Sequence, residues 1–164
     1  IEMRGFEECD FGEFEGHTAA ELEPYEEFSQ WLSGGEDARP LNGESNSEFA
    51  TRVCDCFVKT VDGMIKTGTK SAAIITHGGV IMSILAAFGV PELPMTEWLC
   101  PSACGYTVRI TPSLWSRMKK FEVINEVPAE PLTASQEEML WDYYSELPED
   151  DDFDWDISEE DLRV

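Results

Sequence analysis

Basic side chains are scarce in this sequence: 11 Lys and Arg stand against 34 Asp and Glu, a formal net charge of −23. Affinity for a nucleic-acid backbone rests on Lys and Arg neutralising phosphates, so the imbalance argues against nucleic acid as a partner. It argues equally against an anionic membrane surface. Long apolar runs are missing too. The longest, Val80 to Val90, is broken by Ser83 and Gly89 and falls short of the roughly eighteen residues of a membrane-spanning helix. No signal peptide is visible. The chain starts at Ile1 rather than Met, so an upstream segment is expected. Five cysteines, an odd number, do not suggest a disulfide framework, and a reducing, cytoplasmic location is expected. Histidine occurs only twice, at His17 and His77.

What charge there is comes in blocks. Residues 1–50 carry 14 acids and 2 bases (net −12), residues 51–125 carry 5 and 8 (net +3), and residues 126–164 carry 15 and 1 (net −14). The last block follows the stretch Val127-Pro128-Ala129-Glu130-Pro131, which reads as a boundary. A domain over residues 1–127 and an acidic extension over 128–164 are therefore expected. In the extension, Ser135-Gln136-Glu137-Glu138 is a capping box leading to Met139, Leu140, Tyr143 and Leu147 on one helix side. Beyond Pro148, acids interleave with Phe153, Trp155, Ile157 and Leu162. That composition is expected to stay disordered until a partner, by charge a basic protein, orders it.

Helix signals punctuate the first domain. Thr18-Ala19-Ala20-Glu21 is a capping box that opens a short helix before Pro24, and Tyr25, Phe28, Trp31 and Leu32 then recur at helical spacing up to Ser33-Gly34-Gly35. A second capping box, Ser45-Asn46-Ser47-Glu48, precedes a stripe of Phe49, Val53, Phe57, Val61, Met64 and Ile65, closed by Gly68. Ser71 to Thr76 suits a short buried strand. Val80 to Phe88 is apolar nearly all round and predicts a buried helix with Gly89 as its C-cap. Gly105–Ile110 and Met118–Asn125 read as two later strands, with Pro112 in their link. Helices interleaved with strands predict an α/β or mixed-sheet fold.

Two segments carry chemistry. A strand running into Thr76-His77-Gly78-Gly79 and a helix N-terminus presents free N–H groups and a favourable dipole to an anion. A lone histidine is more often a packed residue than a ligand. At the end of a strand in an α/β sheet, however, it faces the crevice where ligands bind, and His77 is assigned there. The second segment, Phe6 to Gly16, holds five acids: Glu7, Glu8, Asp10, Glu13 and Glu15. Mutual repulsion raises carboxyl pKa values and can produce a general acid, although on charge alone this is a solvated loop. Metal signals are weak. Cys54 and Cys56 point to different helix faces, and nothing completes a four-ligand set around Cys100 and Cys104. Asp150-x-Asp152-x-Asp154 has Trp155 where a calcium loop needs glycine. No metal and no cofactor is expected.

Three motifs in series, Glu8-x-Asp10-Phe11-Gly12-x-Phe14-Glu15-Gly16, then Gly43-Glu44-Ser45 with Glu48, Phe49 and Arg52, then Thr76-His77-Gly78-Gly79-Val80-Ile81, resemble the C-terminal two-thirds of the histidine phosphatase (phosphoglycerate mutase-like) superfamily. The resemblance implies a three-layer α/β/α sandwich with a mostly parallel central sheet. It implies phosphomonoester hydrolysis through a phosphohistidine, acting on a small phosphorylated substrate. Glu8 would donate the proton to the leaving oxygen. His77 would stabilise the phosphoryl oxygens, joined by the backbone N–H of Gly78. The surroundings of Glu8 resemble the phosphatase branch, including alpha-ribazole-type and broad-specificity phosphatases.

The departure is equally specific. The superfamily's nucleophile lies in a Leu-x-x-Arg-His-Gly segment, followed by a second phosphate-binding arginine, and neither occurs here. His17 lies in no such segment and is given a surface role. The chain is therefore expected to be an N-terminally truncated phosphatase fragment, inactive alone. The alternative from a different class is a non-catalytic interaction protein that reuses the fold and binds basic partners through its acidic extension.

Overall fold

The computed structural model describes residues 1–33 and 38–128. The chain divides into two compact units, Ile1–Ala129 and Glu130–Val164, and all the described residues belong to the first. The helix, the acidic-aromatic end and the basic partner expected of the extension fall on residues outside this set. Among the described residues, no helix is long and apolar enough to cross a membrane.

Among the described residues, five α-helices and three strands follow one another: α1 (Ala19–Leu22), α2 (Glu26–Ser33), α3 (Asn46–Thr67), α4 (Gly78–Phe88), β1 (Gly89–Val90), β2 (Gly105–Arg109), α5 (Pro112–Met118) and β3 (Phe121–Val127). Both capping boxes close as read from the sequence. The Thr18 hydroxyl accepts from the Glu21 N–H while the Glu21 carboxylate accepts from the Thr18 N–H, and Ser45 and Glu48 repeat the exchange. Each such cap satisfies two N–H groups that the helix itself cannot, a stabilisation of about 1 kcal/mol. Gly68 ends α3 in the left-handed conformation (φ 71°), its N–H bonded to the Ile65 and Met64 carbonyls. About six turns lie between these two stops, and along them α3 buries one face: Phe49, Val53, Phe57 and Val61.

That face packs against α4, where Val80, Ile84, Leu85 and Phe88 are buried. Phe57 is the centre of the contact. Its ring stacks on Phe88 at 5.5 Å and meets Trp115 and Phe121 edge-on at 5.9 and 5.6 Å. Trp115 is held from the other side, since its indole N–H donates to Asp62 Oδ1 (2.7 Å), which also accepts from Lys119 Nζ (2.8 Å). The sheet has the order β1-β3-β2. β1 runs parallel to β3, with Gly89 opposite Phe121, and β2 runs antiparallel to it from Gly105↔Val127 to Arg109↔Glu122, with an irregularity at Thr107/Val108.

Two readings of the sequence are corrected. Ser71–Thr76 is not a buried strand: it pairs with nothing among the described residues, and Ile75 is 97% exposed. β-propensity without a neighbouring strand leaves the N–H and C=O groups unpaired, so the segment stays irregular. The link after β2 is helical, and the strand expected from Met118 begins only at Phe121. Thr111 caps α5 by accepting from the Leu114 N–H, Pro112 takes the first helical position, and Met118 ends the helix. A proline in the first turn costs a helix nothing, because that N–H has no partner there anyway.

Truncating Phe57 opens a hole among three rings. Phe57→Ala is expected to lower stability by about 3–5 kcal/mol in urea unfolding, and Phe57→Leu by clearly less. The Lys119 hydrogen bond, and after it that of Trp115, hold the Asp62 pKa below its ordinary value. A carboxylate depressed in the folded state contributes stability above its unfolded pKa and loses it as pH falls through the folded one. The stability difference between the wild type and Asp62→Asn, followed by urea midpoint, is therefore expected to shrink as pH drops below about 4.

Candidate active site

The site is built where the acidic loop crosses the N-terminus of α4. Three close approaches hold it, each set by residue type. The loop turns at Asp10, whose Oδ1 accepts from the Gly12 N–H (2.9 Å). Gly12 has φ +52°, and any Cβ there would collide with the Leu41 carbonyl. Gly43, in the facing strand of chain, would bring a Cβ to 2.6 Å from the Asp10 oxygen. With both glycines in place, the Glu13 N–H reaches Leu41 O (3.0 Å) and the Glu44 N–H reaches Asp10 O (2.8 Å). The glycines of the Asp-Phe-Gly and Gly-Glu-Ser motifs are thus two halves of one contact.

Arg52, two turns into α3, binds this loop to the helix. Its Nε and Nη2 grip the Glu44 carboxylate at 2.9 and 2.7 Å, a two-pronged match of planar groups. Nη1 donates to the carbonyls of Arg4, Gly5 and Glu7 (3.1–3.3 Å), and Nη2 also donates to that of Glu8 (3.2 Å). The guanidinium lies 5.4 Å from the Phe49 ring. The hydrogen bonds to Glu44 raise the Arg52 pKa further above its ordinary value. With its donors committed, Arg52 shapes the loop and has no N–H left for a ligand.

The loop and α4 are joined at two points. The Thr76 hydroxyl donates to Phe6 O (2.6 Å), and the Gly79 N–H donates to Glu8 Oε2 (3.1 Å). Glu8 Oε1 accepts from the Cys9 N–H (3.0 Å). The half-buried Glu8 carboxylate lies so close to Gly79 that a Cβ there would approach its Oε1 at 2.5 Å. His77 is the N-cap residue of α4, extended and exposed, and its side chain makes no capping bond. Gly78 beside it is exposed, with open space where a Cβ would stand. The structure therefore brings Glu8, His77 and Gly78 together from positions about seventy residues apart in sequence. It gives them an open approach, a carboxylate and a helix N-terminus whose dipole favours negative charge.

Cys9, next to Glu8, is no nucleophile. Burial first, then the carboxylates of Glu44 and Glu8, push its pKa to about 11, and the thiol stays protonated. Reading the sequence did not assign the roles of Arg52 and Glu44. Both stand in the motifs, and the available signal was that Arg52 follows the second capping box on the helix side shared with Glu48 and Phe49.

The sequence profile of the histidine phosphatase superfamily (branch 1) matches residues 1–122. Among solved structures, a candidate alpha-ribazole-5'-P phosphatase from Escherichia coli (strain K-12, substrain MG1655) superposes with a TM-score of 0.57 at 20% identity. The match covers 80% of this chain and 62% of that protein, and it shows a shared α/β fold. No curated protein matches the chain.

Replacing the planar fork of Arg52 by a point charge should free the loop. Arg52→Lys is expected to lower stability by about 1–3 kcal/mol and to speed amide exchange over residues 8–12, read by hydrogen exchange. Unchanged exchange there would show that the glycine contacts alone hold the loop.

Proposed function

The chain belongs to the histidine phosphatase superfamily, and we propose that it carries the proton-donating and phosphoryl-binding half of a phosphomonoester hydrolase. The observation that supports this most is the Glu8 carboxylate seated on the first turn of α4, beside His77 and Gly78. In this reading, the phosphoryl oxygens of a small phosphate ester lie against the His77 side chain and the Gly78 N–H, which offset charge as it develops. Glu8 gives its proton to the leaving oxygen as the P–O bond breaks. The phosphoryl group passes to a histidine nitrogen, and water then releases it as phosphate. Neither His17 nor His77 stands in an Arg-His-Gly sequence, so the accepting histidine is one that these 164 residues do not contain.

Electrostatics support the same division of labour. Glu7, Glu8, Asp10, Glu13 and Glu15 all lie on the loop that supplies Glu8, and Arg52, which binds that loop, is consumed by Glu44 and four carbonyls. Uncompensated carboxylates repel a phosphate ester. Cations from elsewhere have to complete the pocket before it binds substrate tightly.

Two measurements test the proposal. The chain alone is expected to hydrolyse p-nitrophenyl phosphate no faster than buffer does. Metal-independent turnover that vanishes in His77→Ala would overturn the inactive-half reading. Titration with inorganic phosphate should shift the backbone amide NMR signals of Gly78 and Gly79, more weakly in His77→Ala. Absence of any shift in the wild type would overturn the phosphoryl site itself.

A further inference from the structure

An open cleft of about 990 Å³ has neither Glu8 nor His77 on its wall. It is bounded by the end of the acidic loop, α1, α2 and the segment 38–42, and its size lies at the upper end for small-molecule sites. Three aromatic rings line it: Phe14, Tyr25 and Trp31. Two of them are locked in a cluster. Phe14 lies 5.5 Å from Phe28 and 6.0 Å from Trp31, and Trp31 lies 5.7 Å from Phe11, so this wall is assembled before any ligand arrives.

Among the described residues, the charged groups on the wall do not balance. Glu13, Glu21 and Glu27 contribute three carboxylates. Glu13 accepts one hydrogen bond from Asn42 (3.0 Å), which orients it without neutralising it. The Thr18 hydrogen bonds lower the pKa of Glu21, so it stays ionised at neutral pH. Against them stand His17 and Arg39, and Arg39 is already bridged to Glu48 at 3.2 Å. An anion entering the cleft meets net repulsion. A neutral apolar ligand gains only the rings. A cation gains both the carboxylates and the negative faces of the rings.

Hydration narrows the class further. A metal ion or a primary ammonium gives up strong water contacts on entering a largely aromatic and aliphatic cleft. A quaternary ammonium, bulky and weakly hydrated, does not, and it has no N–H to leave unpaired. We propose that the cleft binds an organic cation of the quaternary ammonium class. This does not rest on the phosphatase reading, because none of the residues that carry it belongs to the Glu8–His77 site.

The test compares two probes of the same shape. Choline and its neutral isostere 3,3-dimethylbutan-1-ol are titrated into the full chain by calorimetry. Choline is expected to saturate and to bind about tenfold more tightly or better than the isostere. Glu27→Gln should weaken choline severalfold and leave the isostere unchanged. Tyr25→Ser, at a side chain already 59% exposed and so tolerant of replacement, should weaken both. Equal affinity for the two probes, no saturation by choline up to about 10 mM, or choline binding indifferent to both substitutions would each overturn the proposal.

Discussion

The Arg52 guanidinium is the junction on which the described fold and its site depend. An acidic loop with five carboxylates repels itself, and its carbonyls, pressed against α3, need donors that water reaches poorly. One planar cation supplies those donors. It neutralises Glu44, takes the carbonyls of Arg4, Gly5, Glu7 and Glu8, and thereby fixes the main chain from which the Glu8 side chain departs. A partly buried charge costs desolvation, and a single ion pair would recover little of it. Six hydrogen bonds and a ring face recover more.

The position of Arg52 is inherited from further back along the chain. Ser45, almost wholly buried, caps α3, and the cap sets the register of every residue after it. With that register, Phe49, Val53, Phe57 and Val61 turn inward against α4, while Arg52 turns toward the loop. The same packing carries α4, so its first turn arrives where the Gly79 N–H meets Glu8. Glycine makes the last ångströms possible: at Gly12, Gly43 and Gly79 a Cβ would occupy space already held by a carbonyl, an amide or the Glu8 carboxylate.

Legibility differed by the range of the interaction. α3 and α4 could be read from the sequence because caps and apolar periodicity are local signals, complete within a few turns. The candidate site residues Glu8, His77 and Gly78 were legible as motifs, and their meeting was legible only through resemblance to a family. Ser71–Thr76 was misread because β-propensity describes what a segment does beside another strand, and the segment carries no signal for whether one is there. α5 was missed because its start signal, Thr111-Pro112, looked like a strand-to-strand link. The aromatic cleft gave no motif of its own: Tyr25 and Trp31 belong to one helical run and Phe14 to the acidic loop, and packing alone puts them on one wall.

By itself the sequence determined the family, the helical framework, the charge asymmetry and the absence of an Arg-His-Gly nucleophile within these residues, all of which are properties of neighbouring residues or of their count. The tertiary structure decided what Arg52 is for, why Gly79 has no side chain, how far Cys9 is from reactivity, and which carboxylates share a wall with Phe14, Tyr25 and Trp31. Those depend on distances between residues far apart along the chain, and such distances exist only once helix packing has brought the segments together.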